Sequence, residues 1–426
     1  MIRILQILLT VLAGSMFLFP FNLPFAPTVN SKMVLAALGA AFFFIDKVRQ
    51  RTLVVSKDFL VLLIIVISVS VWAYFCTIVN RTNDYSFATY VISVLVWLGA
   101  AYAFVWMIRQ VHGQIDIQLI SSYLVAVCVV QCLIAYAMTL FPNFKLTINQ
   151  MMGYSGVYLA RLRGRLYGIG AALDPAGLRF SGVLVLLAVM MQRNDYGKQP
   201  WRGMLMILAF IIISIIGNMI ARSATIGMLL AIAYLFIAPF FNDKKEEQGS
   251  FWTMFIPILF IFILLSFWLY QSSLDFRTNL RFGFEGFFSL VESGRWEVHS
   301  NDVLRGMVVW PESLKTWIIG DGFFASPTDL PDRFGQVYNG FYMQTDIGYL
   351  RYIFYFGVIG LIGMMSVCFQ MTLTCIKSLK SDYAIMFIGL FIVTLLGWFK
   401  VSTDIIMVFA PFLIMAYQQD SYAADK

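Results

Sequence analysis

Residues 58–79, DFLVLLIIVISVSVWAYFCTIV, decide the fold class of this chain. After Asp58 at its start, the stretch carries no charged residue. The hydrocarbon core of a bilayer is about 30 Å thick, and an α-helix needs about 20 apolar residues to cross it. Residues 58–79 therefore predict a membrane-spanning helix.

The composition of the whole chain agrees with that prediction. Of its 426 residues, 60% are hydrophobic and 12% are charged, whereas a soluble domain is about half apolar and about a quarter charged. The apolar runs are continuous rather than alternating, which excludes the strands of a membrane β-barrel. We expect a single all-α, polytopic membrane domain over residues 1–426, with about twelve transmembrane helices. Besides residues 58–79, the apolar runs cover residues 4–20, 33–46, 86–108, 117–141, 178–192, 203–220, 224–241, 251–270, 347–370, 383–399 and 403–418.

The basic residues of the short loops predict the orientation, because cytoplasmic loops are enriched in Lys and Arg. One set of loops is rich in these residues and the opposite set is poor, which predicts that both termini are cytoplasmic. Two long segments, residues 142–177 and 271–345, then lie on the other side. The second is expected to contain short helices, since Phe284, Phe287, Phe288 and Val291 form a helical apolar stripe.

Both long loops are rich in arginine. The stretch ARLRGRLYG, residues 160–168, carries Arg161, Arg163 and Arg165. Such residues can simply anchor a loop to lipid phosphates. Alternatively they form a receptor for an anion, because the planar guanidinium makes bidentate hydrogen bonds to phosphate. The excess of Arg over Lys favours phosphate or pyrophosphate recognition.

Several ionisable residues fall at the ends of predicted spans, where a charge costs at least about 3 kcal/mol unless it is paired or faces a polar cavity. A functional site is therefore the first hypothesis. Simpler explanations exist: Arg222 as an ordinary loop residue, Asp346 as a helix cap, and Lys400 with Asp404 as an i,i+4 pair. The groups are Asp174 with Arg179, Arg222, Asp346 with Arg351, and Lys400 with Asp404.

His299 is a candidate for proton transfer or for a hydrogen bond to a sugar, since it lies among the arginines of the second long loop. No phosphate-binding Walker sequence, His-Glu-x-x-His helix or Asp-x-Asp metal pair occurs. The five cysteines lie in or at the ends of predicted spans and are odd in number, so a disulfide framework is not expected. We expect a mechanism that uses arginines, with neither a metal nor a cofactor.

Several short pieces of residues 160–365 together resemble the O-antigen polymerase and ligase superfamily, membrane enzymes that act on undecaprenyl-diphosphate-linked glycans. The ligases have His where this chain has Asp346, which favours the polymerase branch. The pieces, in order, are Arg165-Leu-Tyr-Gly168, Leu173-Asp174-Pro175, Ala221-Arg222-Ser223, Ser293-Gly294-Arg295, Ile319-Gly320-Asp321-Gly322, Asp346 and Gly357-Val-Ile-Gly360.

The resemblance implies a glycosyltransferase of the C-type helical architecture in the bacterial inner membrane. Such an enzyme joins lipid-linked repeat units of O-antigen, capsule or exopolysaccharide at the periplasmic face and releases undecaprenyl diphosphate. Its partners are the lipid-linked donor and acceptor glycans and the membrane lipids, with a chain-length regulator as a further candidate and no nucleic acid. The alternatives are a ligase that transfers glycan to lipid A and a flippase for lipid-linked sugars.

For the polymerase, each candidate residue has a role. Arg222 and Arg295 would stabilise the leaving pyrophosphate. Asp346 is the first choice of base for the acceptor hydroxyl and His299 the second. A donor or acceptor head group would be held by the three arginines of the first loop, Arg161, Arg163 and Arg165.

Overall fold

The computed structural model describes residues 2–50, 56–162, 164–241, 245–327, 340–379 and 381–424. These residues are mostly helical. The helices are α1 (Ile2–Leu18), α2 (Ser31–Gln50), α3 (Lys57–Asn80), α4 (Tyr90–His112), α5 (Ile117–Leu140), α6 (Pro142–Met151), α7 (Gly156–Arg161), α8 (Leu173–Gln192), α9 (Pro200–Ile220), α10 (Ala224–Ile237), α11 (Lys245–Ser272), α12 (Leu274–Gly283), α13 (Glu285–Ser293), α14 (His299–Gly306), α15 (Leu314–Ile319), α16 (Gly348–Ser378), α17 (Ala384–Gly397) and α18 (Ile406–Ala424). Short 3₁₀ turns cover Ala238–Phe241, Tyr342–Gln344 and Ser381–Tyr383.

The helices are those of a multi-pass membrane protein, and each of the twelve apolar runs lies on one. Within the described residues, seven helices are long and apolar enough to cross a bilayer, namely α3, α4, α5, α8, α9, α16 and residues Phe251–Ser272 of α11. Four shorter apolar helices are Ile2–Leu18, Ala224–Ile237, Ala384–Gly397 and Ile406–Gln419. The twelfth run lies on α2, which has Asp46, Lys47 and Arg49 near its end. A total of twelve spans remains a prediction.

Local sequence explains where several helices begin. Ser56 precedes α3 and accepts a hydrogen bond from the backbone N–H of Phe59, and Asp116 accepts one from Leu119 at the start of α5. Such caps satisfy backbone donors that a helix leaves free at its first turn.

The core surrounds α8, which is the most enclosed of the long helices, whereas α11 is the least enclosed. Helix α8 packs on α10, α9 and α17, and α2 packs on α4. A side chain on Gly39 of α2 would collide with the backbone carbonyl of Gly99 in α4, so these two helices pack closely where both residues are glycine.

A small β-hairpin follows α1, where an all-α chain was expected. Its strands β1 (Asn22–Leu23) and β2 (Ala26–Asn30) pair antiparallel. Ser31 closes the hairpin, because its hydroxyl donates to the carbonyl of Met16 at 2.9 Å and accepts from the backbone N–H of Phe21 at 3.2 Å. The Phe- and Pro-containing turn after α1 thus folds back on itself.

Both predicted loops contain helices. Residues 142–177 include α6 and α7, and α8 begins at Leu173 rather than after residue 177. Residues 271–345 contain α12 to α15. Arg165 of the first segment contacts Phe282 of the second, so both lie at one end of the bundle. We call it the loop end, meaning the end that carries α6, α7 and α12–α15.

Helix α16 is broken near this end. Phe356 and Gly357 have non-helical backbone angles, and Gly357 has φ +71°, which favours glycine. The carbonyls freed by the break are satisfied: Phe354 accepts from the N–H of Asp321 at 2.6 Å, and Tyr355 accepts from Gly322 at 3.1 Å.

The indole N–H of Trp72 donates a hydrogen bond to the third carbonyl freed by the break in α16, that of Phe356, at 2.9 Å. Backbone within a membrane protein must satisfy its polar groups internally, which explains why these partners are needed. A side chain on Gly357 would collide with the backbone of Ile318 and Ile319, so two pieces of the sequence resemblance, residues 319–322 and 357–360, meet in space.

Candidate functional site

Two arginines from separate segments converge on the ring of Phe282, near the end of α12. The guanidinium carbon of Arg222 lies 4.6 Å from the ring centroid, and that of Arg165 lies 5.1 Å from it. An aromatic ring attracts a cation to its face and supports a guanidinium that has been removed from water. Arg165 of the first long loop and Arg222 thus meet at one ring, although the sequence had assigned them separate roles.

Arg222 lies in the short turn between α9 and α10. Its side chain is 15% exposed and forms an ion pair with Glu285 at the start of α13, whose side chain is 34% exposed. Burial lowers the pKa of Arg222, and the neighbouring positive charge of Arg165 lowers it further. Arg222 is therefore not an ordinary solvated loop residue.

Lys400 brings a third cation to this place. Its Nζ atom lies 2.9 Å from an Asp174 carboxylate oxygen, and it lines the same cavity as Arg222. We call Arg165, Arg222 and Lys400 the cation cluster. The sequence singled out Lys400 together with Asp404, but an i,i+4 pair was a sufficient explanation, and Lys400 was given no role in the site.

The predicted i,i+4 pair of Lys400 with Asp404 is wrong. Helix α17 ends at Gly397 and α18 begins at Ile406, so the residues between them lack the helical spacing that such a pair requires. Asp404 instead accepts a hydrogen bond from the backbone N–H of Ile406 at 3.1 Å.

Asp174 was grouped with Arg179, but its partner is Lys400. Residues five apart on a helix point in different directions, because neighbours on one face are three or four apart. The Nε atom of Arg179 is buried and has no hydrogen-bond partner within the described part of the chain. Asp174 is thereby left free to hold Lys400 at the cavity.

Asp346 and Arg351 form the predicted pair, at 3.7 Å. Arg351 is buried, and its guanidinium carbon lies 3.6 Å from the ring centroid of Phe324 and 4.2 Å from that of Phe341. Its guanidinium also donates a hydrogen bond to the Ser402 hydroxyl at 2.7 Å.

Asp346 does not cap α16, whose capping position is Ile347. A buried oxygen of the Asp346 carboxylate, Oδ1, has no hydrogen-bond partner among the described residues.

The environment of Asp346 suits a proton acceptor. Burial raises the pKa of this carboxyl to about 7, while the positive charge of Arg351 opposes the rise. Asp174 raises the same pKa and Lys400 lowers it. Asp346 is thus close enough to the Asp174–Lys400 pair to be coupled to it electrostatically.

A cavity of about 290 Å³ lies beside the cation cluster. It combines apolar faces with a small number of polar and charged groups, which is the usual composition of a site for a small ligand. Its lining includes Arg222, Lys400, Glu285, Phe284, Phe287, Trp296 and Asn301.

The other candidate residues are placed differently. Arg161 ends α7 and is exposed, and Arg163 lies outside the described residues. Arg295 and His299 are exposed, and their side chains make no hydrogen bond or ion pair with any described residue. His299 contributes its backbone N–H, which donates to Glu285 at 3.3 Å. Their roles in binding or catalysis remain predictions.

Across the described ranges, no cluster of three or more His, Cys, Asp or Glu residues could hold a metal ion. The five cysteines are free and buried, as expected from the sequence. The positive charges found at the site belong to the cation cluster and Arg351.

Comparison of the chain with models of protein families gives no match, and comparisons with curated proteins and with solved structures give none either. The resemblance to the polymerase and ligase superfamily therefore depends on the motifs of this chain alone.

Proposed function

We propose that this protein is a polymerase that joins undecaprenyl-diphosphate-linked oligosaccharide repeat units. A hydroxyl of the acceptor glycan attacks the anomeric carbon of the donor sugar, and the bond from that carbon to the diphosphate oxygen breaks. The hydroxyl proton passes to a base of the protein, and undecaprenyl diphosphate leaves with the electron pair of the broken bond.

The convergence of Arg165 and Arg222 on Phe282, with Lys400 at the adjoining cavity, carries this proposal. Negative charge grows on the diphosphate as the sugar–oxygen bond breaks. Cations already fixed in a partly dry site stabilise that charge without reorganisation, which is where catalysis gains most. Arg222 is the residue we assign to the leaving diphosphate, with Arg165 and Lys400 beside it.

Asp346 is the base that we favour. A catalytic base works best when its pKa lies near the working pH, and burial raises the pKa of Asp346 to about 7. The exposed His299 remains the second choice. Arg161 and Arg163 would hold a donor or acceptor head group.

The proposed setting is the bacterial inner membrane, with twelve spans in a C-type glycosyltransferase arrangement. The basic short loops support cytoplasmic termini and a periplasmic location of the loop end. Donor and acceptor then reach the site from the lipid phase.

A transporter of lipid-linked sugars is the second candidate, and the break in α16 favours it, because transporters often bind substrate at interrupted helices. In this chain, however, the carbonyls freed by the break are occupied by Asp321, Gly322 and Trp72. They are not available to a substrate. A ligase is disfavoured by Asp346, since the ligases have His at that position.

The test uses purified full-length protein in lipid nanodiscs with one synthetic undecaprenyl-diphosphate-linked repeat unit. A polymerase produces a ladder of longer lipid-linked glycans, and Arg222→Ala lowers its rate of formation by about 10²–10³-fold. The matched control is Arg305→Ala, because Arg305 lies in α14, also at the loop end, but its side chain is 82% exposed. A product formed only when lipid A is added indicates a ligase. Substrate crossing a liposome membrane with no new glycosidic bond indicates a transporter.

A further inference from the structure

We infer that the Glu285 carboxylate occupies the position that a phosphate of the substrate takes, so that Glu285 and the diphosphate compete for Arg222. This inference rests on the proposed function for the identity of its ligand. The chemical class of ligand is a diphosphate, either free or attached to a polyprenyl lipid.

The contacts of Glu285 are those expected of an anion in a binding site. One carboxylate oxygen pairs with the guanidinium of Arg222, and the other accepts the backbone N–H of His299 at 3.3 Å. Carboxylate and phosphate oxygens make the same kinds of charge-assisted hydrogen bond to guanidinium and backbone N–H donors. A phosphate that entered the cavity would therefore find its donors already holding Glu285.

The charge balance of the cation cluster supports the same conclusion. Lys400 is neutralised by Asp174, and Arg222 is neutralised by Glu285. Arg165 has no ion pair among the described residues, and its buried Nε atom has no hydrogen-bond partner. A diphosphate carries more than one negative charge, so Arg165 alone cannot balance it. Release of Arg222 from Glu285 supplies the second positive charge.

Glu285 and Asp174 differ in a way that identifies which carboxylate moves. Glu285 is 34% exposed and belongs to a short helix at the loop end, whereas Asp174 is 23% exposed and belongs to the enclosed helix α8. Glu285 also lines the cavity itself. The Glu285 side chain can turn toward solvent without disturbing the core.

This exchange has a consequence for turnover. When the product diphosphate leaves, Glu285 returns to Arg222 and restores the neutral pair, which speeds release by competing for the same cation. Removal of the carboxylate should therefore tighten binding of the diphosphate and slow its departure.

The experiment measures binding of inorganic pyrophosphate, and separately of undecaprenyl diphosphate, to the full-length protein in nanodiscs. Glu285→Gln is expected to bind both about tenfold more tightly than wild type, which corresponds to about 1.4 kcal/mol. Glu285→Ala, a second variant without the amide, should bind more tightly as well. Tighter binding of the lipid than of pyrophosphate identifies the lipid as the natural source of the diphosphate.

Glu292→Gln is the matched control. Glu292 lies on the same helix α13 and pairs with Arg281 at 2.7 Å, away from the cavity lining. Its substitution should leave diphosphate affinity unchanged. In the Arg222→Gln background, Glu285→Gln should no longer tighten binding, because the competition acts through Arg222.

Equal or weaker binding by both Glu285 variants would overturn the inference. The result also separates the inference from the proposed function. If the variants bind diphosphate more tightly but no variant or wild-type protein makes polymer, the competition stands and the polymerase assignment fails. If wild type makes polymer and the variants bind diphosphate as wild type does, the opposite holds.

Discussion

Arg161 and Arg165 lie on one short segment, yet their side chains are in different environments. Arg165 contacts Phe282 beside Arg222, whereas Arg161 is exposed at the end of α7. In the second long loop, Glu285 pairs with Arg222 of the cation cluster, whereas Arg295 is exposed. A high local density of arginine therefore does not mark the site by itself.

Arg165 and Arg222 differ from Arg161 and Arg295 in that their guanidinium groups are partly removed from water. A guanidinium held against an aromatic ring in a partly buried place interacts more strongly with an anion than one in bulk solvent, because the effective dielectric constant is lower. A solvated arginine is also screened by salt. Substitutions of Arg222 and Arg165 should therefore lower activity more than substitutions of Arg161 and Arg295.

Arg222→Ala is expected to have the largest effect. Loss of a fixed donor at a developing negative charge lowers kcat by about 10²–10³-fold in comparable sites. Arg222→Lys should recover part of the rate, since it restores the charge but not the planar fork. Rates of polymer formation in nanodiscs measure the effect, with Arg305→Ala as the control. A rate within about threefold of wild type for Arg222→Ala would contradict the expectation that the partly buried arginines matter most.

Asp346→Asn should lower the rate by about 10²–10⁴-fold, the usual contribution of a positioned base. Because the base must be ionised and its pKa is about 7, wild-type activity should fall as the pH decreases through 7. The pH–rate profile of the purified enzyme measures this. Asp302→Asn, which removes an exposed carboxylate of the second long loop, should keep the wild-type profile. A profile with no decrease between pH 8 and pH 6 would exclude Asp346 as the base.

Much of the fold follows from the sequence because the bilayer permits few alternatives. Continuous apolar runs must be helical, since only a helix satisfies all its backbone groups within the segment, and every predicted run lies on a helix. The break in α16 was less predictable. Gly357 lies in an apolar run, and its positive φ and its close approach to the backbone of Ile318 and Ile319 show why glycine is needed there.

The site was predictable only in part, because it depends on contacts between distant residues. Arg222 and Asp346 were found because ionisable residues are costly at the ends of spans. Phe282 gave no such signal, since an aromatic residue is ordinary in this chain. Lys400 was given the wrong partner because its i,i+4 spacing to Asp404 was taken as helical at the turn between two predicted spans. Glu285 was not considered because its partner lies on another segment.

Arg165→Ala and Arg161→Ala together compare a partly buried arginine with an exposed one in the first long loop. Removal of one unpaired cation beside the leaving group should lower the rate by about tenfold, or about 1.4 kcal/mol. Arg161→Ala should lower it less, and the ratio of the two rates is the measurement. Both variants remove the same side chain from the same segment, so differences in expression or insertion are controlled. Equal losses would mean that the whole segment binds substrate through its total charge.

Arg295→Ala is expected to have the smallest effect, within about threefold of wild type, because solvated surface substitutions usually change energies by no more than about 0.5 kcal/mol. The sequence alone placed Arg295 on the pyrophosphate with Arg222, which predicts a complete loss of chain extension instead. The two expectations differ by orders of magnitude, so one rate measurement decides between them.

A complete loss would mean that substrate draws Arg295 from solvent toward Arg222, since Trp296, the next residue, already lines the cavity. Intramolecular distances between labels at Arg295 and in α9, with and without pyrophosphate, would then shorten on binding. If the rate is nearly unchanged, those distances should stay the same, and the cation cluster alone holds the diphosphate.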